Sequence, residues 1–246
     1  MLVYLSSHIG GSYKKDGNRI PTQLSPDNGL LESLQRNWKS QSNVLIISAD
    51  ADSIEINDSI RNIFAASFPM SGLSIHEMVI CDKSNEGIVS QIAAYDVIIL
   101  AGGHVPTQNA FFRKINLKER IKDFDGILIG ISAGSMNCAE IVYAQPELGG
   151  ESLDKNYQRF LSGLGITKLM ILPHYQDIKD DMLDGKRLFE EITYEDSYGR
   201  EFYALVDGSY FMIENGKTML FGEAYLIKDG TLKKLCEKNQ EMQVIG

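Results

Sequence analysis

The stretch that decides the fold is GILIGISAGS, residues 126–135. Its first half contains the apolar run Ile127–Ile131, which lacks the alternation of a half-exposed strand and therefore predicts a strand buried on both faces. Its second half, Gly130–Gly134, fits the pattern G-x-S-x-G, in which a serine stands on a cramped turn between a strand and a helix. The stretch predicts that Ser132 is a nucleophile at the edge of a sheet.

The same five residues have a plainer interpretation, a glycine-rich turn in which Ser132 only caps a helix. The strand before the turn and the helical pattern predicted for Ala133–Ala144 favour the nucleophile. At the start of a helix, backbone N–H groups and the helix dipole stabilise a negatively charged oxygen. We therefore expect acyl-transfer chemistry at this turn.

Upstream of the turn, short apolar runs alternate with stretches of helical pattern. Strands are predicted for Leu2–Leu5, Val44–Ser48, Ile75–Ile80 and Val97–Leu100, and helices for Asn28–Trp38, Ser53–Ser67, Glu86–Ala94 and Thr107–Ile115. This alternation predicts an α/β fold, a mostly parallel sheet with helices on both faces.

Downstream of Ile171 the pattern changes to closely spaced strands. A helix is predicted for Gly185–Thr193, and strands follow at Phe202–Val206, Tyr210–Glu214, Thr218–Phe221, Glu223–Ile227 and Thr231–Leu235. The Asp-Gly and Asn-Gly pairs between these strands are hairpin signals. They predict an antiparallel β-meander at the C-terminus, and we expect residues 1–246 to form a single α/β domain.

Composition limits the function classes. The 246 residues are enough to bury a core without a metal or a disulfide, and the three widely spaced cysteines form neither a disulfide framework nor a zinc motif. With 24 Lys+Arg against 33 Asp+Glu, the net charge of −9 argues against nucleic acids and anionic membranes as partners. No signal peptide or run of ~18 apolar residues is present, so we expect a cytoplasmic protein without a metal or cofactor.

A nucleophilic serine needs a base, and the chain has four histidines. His174 is the one that follows the serine, and it comes directly after an apolar run and Pro173, where a strand would present it at a sheet edge. His8 and His104 also follow predicted strands and remain alternatives, whereas His76 lies within a predicted strand and is expected to be structural.

The base needs a carboxylate that orients its ring. Asp207 ends another apolar run and is the first candidate, although an Asp-Gly pair is also an ordinary hairpin turn. Glu147, Glu151 and Asp154, between the serine and the histidine, are competitors. The order serine, histidine, acid differs from the serine, acid, histidine order of α/β-hydrolases, which argues against that superfamily.

Four motifs resemble those of peptidase family S51, the group of peptidase E and cyanophycinase, within the class I glutamine-amidotransferase-like fold. In chain order they are Leu100–Gly103, Gly130–Gly134, Leu172–Tyr175 and Val206–Ser209. The resemblance implies that Ser132 is the nucleophile, His174 the base and Asp207 the acid. It also implies that the N–H groups of Gly103 and Ala133 bind the oxyanion. Amidotransferases of this fold have a cysteine at the position of Ser132, so the serine argues against glutamine hydrolysis through a thioester.

The resemblance also implies a substrate class: short peptides or amides, with Asp-X dipeptides among them. In the family an arginine after the histidine loop binds the aspartyl side chain, and Arg187 is the nearest match here; His104, beside the glycine pair, is a second candidate for substrate binding. The insert Glu147–Leu164 is longer than the corresponding loop of peptidase E. An esterase or a non-catalytic binding protein of the same fold is the alternative, and a homodimer is the base-rate expectation.

Overall fold

The computed structural model describes residues 1–244. The strands are β1 (Leu2–Ser6), β2 (Gly10–Lys15), β3 (Asn18–Leu24), β4 (Ser42–Ile47), β5 (Ile75–Cys81), β6 (Val97–Leu100), β7 (Ile127–Ile131), β8 (Ile141–Tyr143), β9 (Phe160–Ser162), β10 (Met170–Leu172), β11 (Met182–Leu183), β12 (Lys186–Arg187), β13 (Glu201–Leu205), β14 (Tyr210–Glu214), β15 (Lys217–Phe221), β16 (Ala224–Lys228), β17 (Thr231–Cys236) and β18 (Glu241–Val244).

The α-helices are α1 (Leu30–Asn37), α2 (Ile54–Met70), α3 (Val105–Lys114), α4 (Leu117–Arg120), α5 (Ala133–Met136), α6 (Tyr175–Ile178) and α7 (Tyr194–Asp196). Three 3₁₀ segments, Asp27–Gly29, Glu86–Ala94 and Ile121–Asp123, and one π-helical turn, Leu188–Thr193, complete the secondary structure. Within residues 1–244, no helix has both the length and the apolar character needed to cross a membrane.

The largest sheet has eight strands in the order β18-β15-β14-β1-β7-β6-β4-β5. Strands β1, β7, β6, β4 and β5 pair in parallel, whereas β14, β15 and β18 extend the sheet in antiparallel fashion beside β1. The central α/β architecture predicted from the alternating pattern is confirmed. The carboxyl ends of β1, β6 and β7 meet at one edge of this sheet, and residues directly after them form the site described below.

Both faces of the central sheet are covered. Leu45 of β4 belongs to a buried cluster with Phe112 of α3, while its neighbour Ile46 belongs to a second cluster with Phe68 of α2. Successive residues of a strand point to opposite faces, so α2 and α3 pack on opposite sides of the sheet. This double burial is the reason that the parallel strands read as continuous apolar runs.

The C-terminal strands depart from the single meander predicted for them. They divide between two sheets: β14, β15 and β18 join the central sheet, whereas β13, β16 and β17 form a second sheet with β10. The turns that follow Val206 and Phe221 move the chain from one sheet to the other. Local turn signals identify the hairpins but carry no information about which sheet a strand joins.

Two predicted helices are also corrected. The helix predicted for Ala133–Ala144 ends at Met136, because the carbonyl oxygens of Asn137 and Cys138 accept hydrogen bonds from the N–H groups of Leu164 and Ile166 at 2.9 Å each. Those carbonyls are therefore unavailable to a continuing helix.

The helix predicted for Gly185–Thr193 begins instead with β12, which pairs with β11 across a tight turn. Asp184 and Gly185 form this turn with φ angles of 53° and 83°. They are an Asp-Gly hairpin signal of the same kind as the later ones. Only Leu188–Thr193 is helical, as a π-helical turn.

The hairpin β2–β3 was not predicted. Its residues have few apolar side chains, and Tyr13 is among the exposed large hydrophobic side chains of the molecule. A strand without a buried face leaves no alternation to detect.

Candidate active site

Ser132 lies between β7 and α5 on a strained turn, with φ +52° and ψ −117°. The glycines on both sides are required by space. A Cβ atom at Gly130 would lie 2.8 Å from Cα of Ser135, and one at Gly134 would lie 2.2 Å from the carbonyl oxygen of Leu100. The turn therefore packs against the neighbouring strand β6, and it holds the Ser132 hydroxyl in a fixed direction at the sheet edge.

His174 follows β10 and also has a left-handed backbone, with φ +58°. Its Nε2 lies 3.0 Å from Oγ of Ser132, and its Nδ1 lies 2.8 Å from Oδ1 of Asp207. Because an ionised carboxylate only accepts hydrogen bonds, the Nδ1–H donates to Asp207 and leaves Nε2 free to accept the serine proton. The structure thus joins Ser132, His174 and Asp207 in one hydrogen-bonded chain.

Asp207 follows β13, the strand that pairs in parallel with β10. Burial alone would raise the pKa of the Asp207 carboxyl, but hydrogen bonds from His174 and from the Ser7 hydroxyl, 2.6 Å away, lower it to about 2. The backbone N–H of Asp207 donates to the Gln176 side-chain oxygen at 2.9 Å. The carboxylate is therefore ionised and held in place over the whole neutral pH range.

Ser7 is a residue of the site that the sequence analysis missed. Its hydroxyl donates to Asp207 and accepts a hydrogen bond of 2.8 Å from the backbone N–H of His174. It comes directly after β1, the strand that pairs in parallel with β7. The available signal was its place after a buried strand, a position common to site residues in open α/β sheets.

The glycine loop after β6 lies against the serine turn. A Cβ atom at Gly102 would lie 3.2 Å from Cβ of Ser132, and one at Gly103 would lie 2.6 Å from Cβ of Ala49. The N–H of Ser132 itself is used, since it donates to the carbonyl oxygen of Ser6 at 2.9 Å. The N–H of Ala133 is the first of α5 and has no partner within that helix. It remains a candidate oxyanion donor together with that of Gly103.

The alternative bases have other partners: His8 lines the larger of the two cavities at Ser132, whereas His104 lines neither of them. His8 has its ring centroid 6.4 Å from that of His174, and its Nδ1 accepts the N–H of Gly10 at 3.1 Å. Burial lowers the pKa of His8, which keeps its ring neutral. His104 directly precedes α3, and its Nδ1 lies 2.7 Å from the hydroxyl oxygen Oγ1 of Thr107.

The competing carboxylates have other partners. Glu151 lies 2.9 Å from Nε2 of His104, and Glu147 lies 3.9 Å from the same nitrogen. Asp154 accepts the N–H of Asn156 at 2.8 Å. The carboxylate hydrogen-bonded to His174 is that of Asp207.

Arg187 lies apart from the serine. It is an exposed residue of β12, with its guanidinium 3.8 Å from Glu190 and 3.5 Å from Glu191. It is not among the residues that line the cavities around Ser132. The expected helix after the histidine loop is replaced by the β11–β12 hairpin. Met182, Leu183 and Leu188 of this part of the chain line the smaller of these cavities, but the Arg187 side chain does not.

Two cavities meet at Gly103, Ser132 and His174, which line both. The smaller has a volume of about 170 Å³, and its other lining residues are Val105, Met136, Gln145, Pro146, Glu147, Pro173, Ile178, Asp181, Met182, Leu183 and Leu188. The larger has a volume of about 650 Å³, and its other lining residues are His8, Ile9, Gly10, Ser12, Arg19, Glu55, Ile56, Ser59, Ile60, Ile63, Phe64, Ala101, Gly102 and Ile131.

One group of side chains at the site, within residues 1–244, offers metal-ligand atoms close together. His174, Asp177 and Asp207 offer ligand atoms within 4.8 Å of one another. The hydrogen bond between the His174 ring and the Asp207 carboxylate already occupies two members of this group, and Asp177 is exposed. The arrangement suits proton transfer between serine, imidazole and carboxylate better than it suits a cation.

Comparisons with known proteins identify the family and the fold of the chain. The sequence-family model of peptidase family S51 matches residues 24–221 of the chain. A crystal structure of a candidate peptidase E from Listeria monocytogenes EGD-e superposes with a TM-score of 0.57 at 15% identity, covering 96% of this chain and 98% of that one. At this identity the superposition speaks for the fold alone. A search of curated proteins gave no match.

Proposed function

The chain belongs to peptidase family S51 and is a serine peptidase, and from this premise we propose that it hydrolyses short peptides through an acyl-enzyme on Ser132. The observation that carries the proposal is the hydrogen-bonded chain from Oγ of Ser132 through the His174 ring to the Asp207 carboxylate, with distances of 3.0 and 2.8 Å. Three residues on three separate strand ends would not align in this way merely to cap a helix.

The first half of the reaction forms the acyl-enzyme. Oγ of Ser132 attacks the carbonyl carbon of the scissile amide while Nε2 of His174 accepts the hydroxyl proton. Asp207 orients the ring and stabilises its positive charge. The N–H groups of Gly103 and Ala133 donate to the carbonyl oxygen as it becomes negative. His174 then passes its proton to the amine nitrogen, and the C–N bond breaks.

The second half releases the acid. Water takes the place of the departed amine, and His174 removes a proton from it as the water oxygen attacks the ester carbonyl. The tetrahedral species again uses the two N–H donors and collapses to a free carboxylate and the restored Ser132 hydroxyl. All proton transfers pass through Nε2 of one histidine, so a single base serves both halves.

The experiment compares the wild-type chain with Ser132→Ala on a panel of dipeptides that includes an Asp-X member. We expect kcat/KM to fall by at least about 10⁴-fold, because the variant has no nucleophile. Ser90→Ala, which changes an exposed residue of a 3₁₀ segment that is absent from the cavity linings, is the control and should retain full activity.

Equal hydrolysis by the wild-type chain and Ser132→Ala would refute the proposal. Turnover of p-nitrophenyl acetate without turnover of any peptide would support the esterase alternative. Peptide binding by the wild-type chain without turnover of either class would support the binding-protein alternative.

A further inference from the structure

The smaller cavity beside Ser132 has, among its lining residues within 1–244, no lysine or arginine side chain that would pair with an aspartyl side chain. Most of its walls are apolar, with Val105, Met136, Leu183 and Leu188 among them. Its acidic members are Glu147 and Asp181. The carboxylate of an aspartyl side chain placed there would lose hydration and be repelled by the carboxylates of Glu147 and Asp181, which disfavours its binding.

The size of this cavity limits what it can hold. Its volume of about 170 Å³ is close to that of an apolar cavity of about 150 Å³ that takes up benzene. One leucine- or phenylalanine-sized side chain therefore fits, and a second residue does not. The larger cavity, of about 650 Å³, has room for more than one residue.

The order of events assigns the cavities to the two halves of the substrate. The acyl group stays on Ser132 while the amine leaves and water enters. With a volume of about 650 Å³ the larger cavity has room for this exchange, whereas the smaller one, of about 170 Å³, has room for the single residue that stays. The residue on the acyl side of the scissile bond therefore belongs in the smaller cavity, and it is the only residue on that side.

A peptide cut after its first residue carries its free ammonium group into the same cavity. Glu147 is positioned to pair with it: one carboxylate oxygen lies 3.9 Å from Nε2 of His104, and the side chain is 48% exposed, so it is open to a ligand. His104 has Glu151 as its closer partner, at 2.9 Å. This leaves the Glu147 carboxylate available.

From these observations, and resting on the function proposed above, we infer that the substrates are peptides with a free amino terminus and an apolar first residue. The apolar side chain fills the smaller cavity, the ammonium group pairs with Glu147, and the remainder of the peptide leaves through the larger cavity. Glu147 is thus a specificity-determining residue, and Asp-X peptides are disfavoured.

The test measures kcat/KM for Leu-Leu, N-acetyl-Leu-Leu and Asp-Leu with the wild-type chain, Glu147→Gln and Glu190→Gln. We expect Leu-Leu to exceed both other peptides by about 10-fold or more with the wild-type chain, as for one charge-assisted hydrogen bond. With Glu147→Gln, Leu-Leu should no longer be preferred over N-acetyl-Leu-Leu. The KM for Leu-Leu should rise by about the same factor, and the KM for the acetylated peptide should not change. Glu190→Gln, which changes an exposed carboxylate outside the cavity, should behave as the wild-type chain.

Two results would overturn the inference: preference for Asp-Leu over Leu-Leu, or an unchanged ratio of Leu-Leu to N-acetyl-Leu-Leu in Glu147→Gln. Thermal unfolding of both variants confirms that they fold. Covalent labelling by a fluorophosphonate separates the two proposals. Labelled Ser132 together with a preference for Asp-Leu overturns the specificity alone. No labelling and no hydrolysis overturns the proposed function with it.

Discussion

Two regions meet at Ser132 and are built in different ways. One is the strand-end cluster, Ser7, Ser132, His174 and Asp207, whose members follow β1, β7, β10 and β13. The other consists of the wall segments, residues 145–164 and 178–191, which supply most of the smaller cavity through strands of two or three residues and turns. The cluster follows the strand ends of the two larger sheets, whereas the walls consist of short segments that pack on a buried apolar cluster with Phe202 and bond to one another.

This difference suggests a division of roles, in which the cluster carries out the reaction and the walls select the substrate. Each member of the cluster is hydrogen-bonded to another member, so a change in one affects the reacting atoms. The walls are joined to each other by Asp184, whose carboxylate accepts the N–H groups of Gly150 and Ser152 at 2.8 and 3.1 Å. Substitutions in the cluster should therefore lower kcat, and substitutions of the wall residues that line the smaller cavity should change KM and the choice of substrate.

The largest effect is expected from Asp207→Asn. An amide cannot hold the histidine in the required protonation state, so kcat should fall by about 10⁴-fold while KM changes little. Steady-state kinetics with the best dipeptide measures both constants. A fall of less than about 10-fold would show that another acid, such as Glu147, orients His174, and it would break the distinction between cluster and walls.

The next effect concerns stability. Gly134→Ala places a Cβ atom 2.2 Å from the carbonyl oxygen of Leu100 and should lower the free energy of unfolding by about 3 kcal/mol. Gly149→Ala is the matched control in a wall segment: a Cβ atom there meets nothing within 4 Å, so the change should stay within about 0.5 kcal/mol. Urea unfolding of both variants gives the comparison. Equal effects would contradict the tight packing of the serine turn.

A smaller effect is expected from Ser7→Ala, which removes one hydrogen bond to Asp207 and one from the His174 backbone. Each such bond contributes about 1 kcal/mol, so the loss of both should lower kcat by up to about 30-fold. The pKa of Asp207 should also rise from its value of about 2, because Ser7 is one of the groups that lower it. NMR titration of the carboxyl carbon measures that rise, and an unchanged value would exclude the positioning role of Ser7.

The smallest effect is expected from lowering the pH, which should protonate Glu147 in a wall segment before it protonates Asp207 in the cluster. Partial burial raises the pKa of Glu147 above its usual 4.5, whereas that of Asp207 is about 2. As the pH falls through the raised pKa, Glu147 becomes neutral and loses its attraction for an ammonium group, while Asp207 stays ionised. The ratio of kcat/KM for Leu-Leu to that for N-acetyl-Leu-Leu should fall severalfold, and Glu147→Gln should show no such dependence. A ratio independent of pH in the wild-type chain would contradict this assignment.

The sequence made the central sheet and the serine turn predictable. The run Ile127–Ile131 and the small residues around Ser132 carry local signals, and strand ends in a parallel sheet are known to converge. The second sheet and the walls could not be predicted, because they depend on pairings between distant short segments. The hydrogen bonds from the N–H groups of Leu164 and Ile166 that end α5 are one example, since no residue near Asn137 in the sequence signals them. Ser7 was missed because a serine after a strand is common.

The most direct test of the central claim is the reactivity of Ser132 toward a fluorophosphonate probe, measured by intact mass and peptide mapping. We predict one label per chain, on Ser132, and labelling at least about 10²-fold slower in His174→Ala, because the hydroxyl then lacks its base. A label on another residue, or equally fast labelling of Ser132 in His174→Ala, would contradict the account.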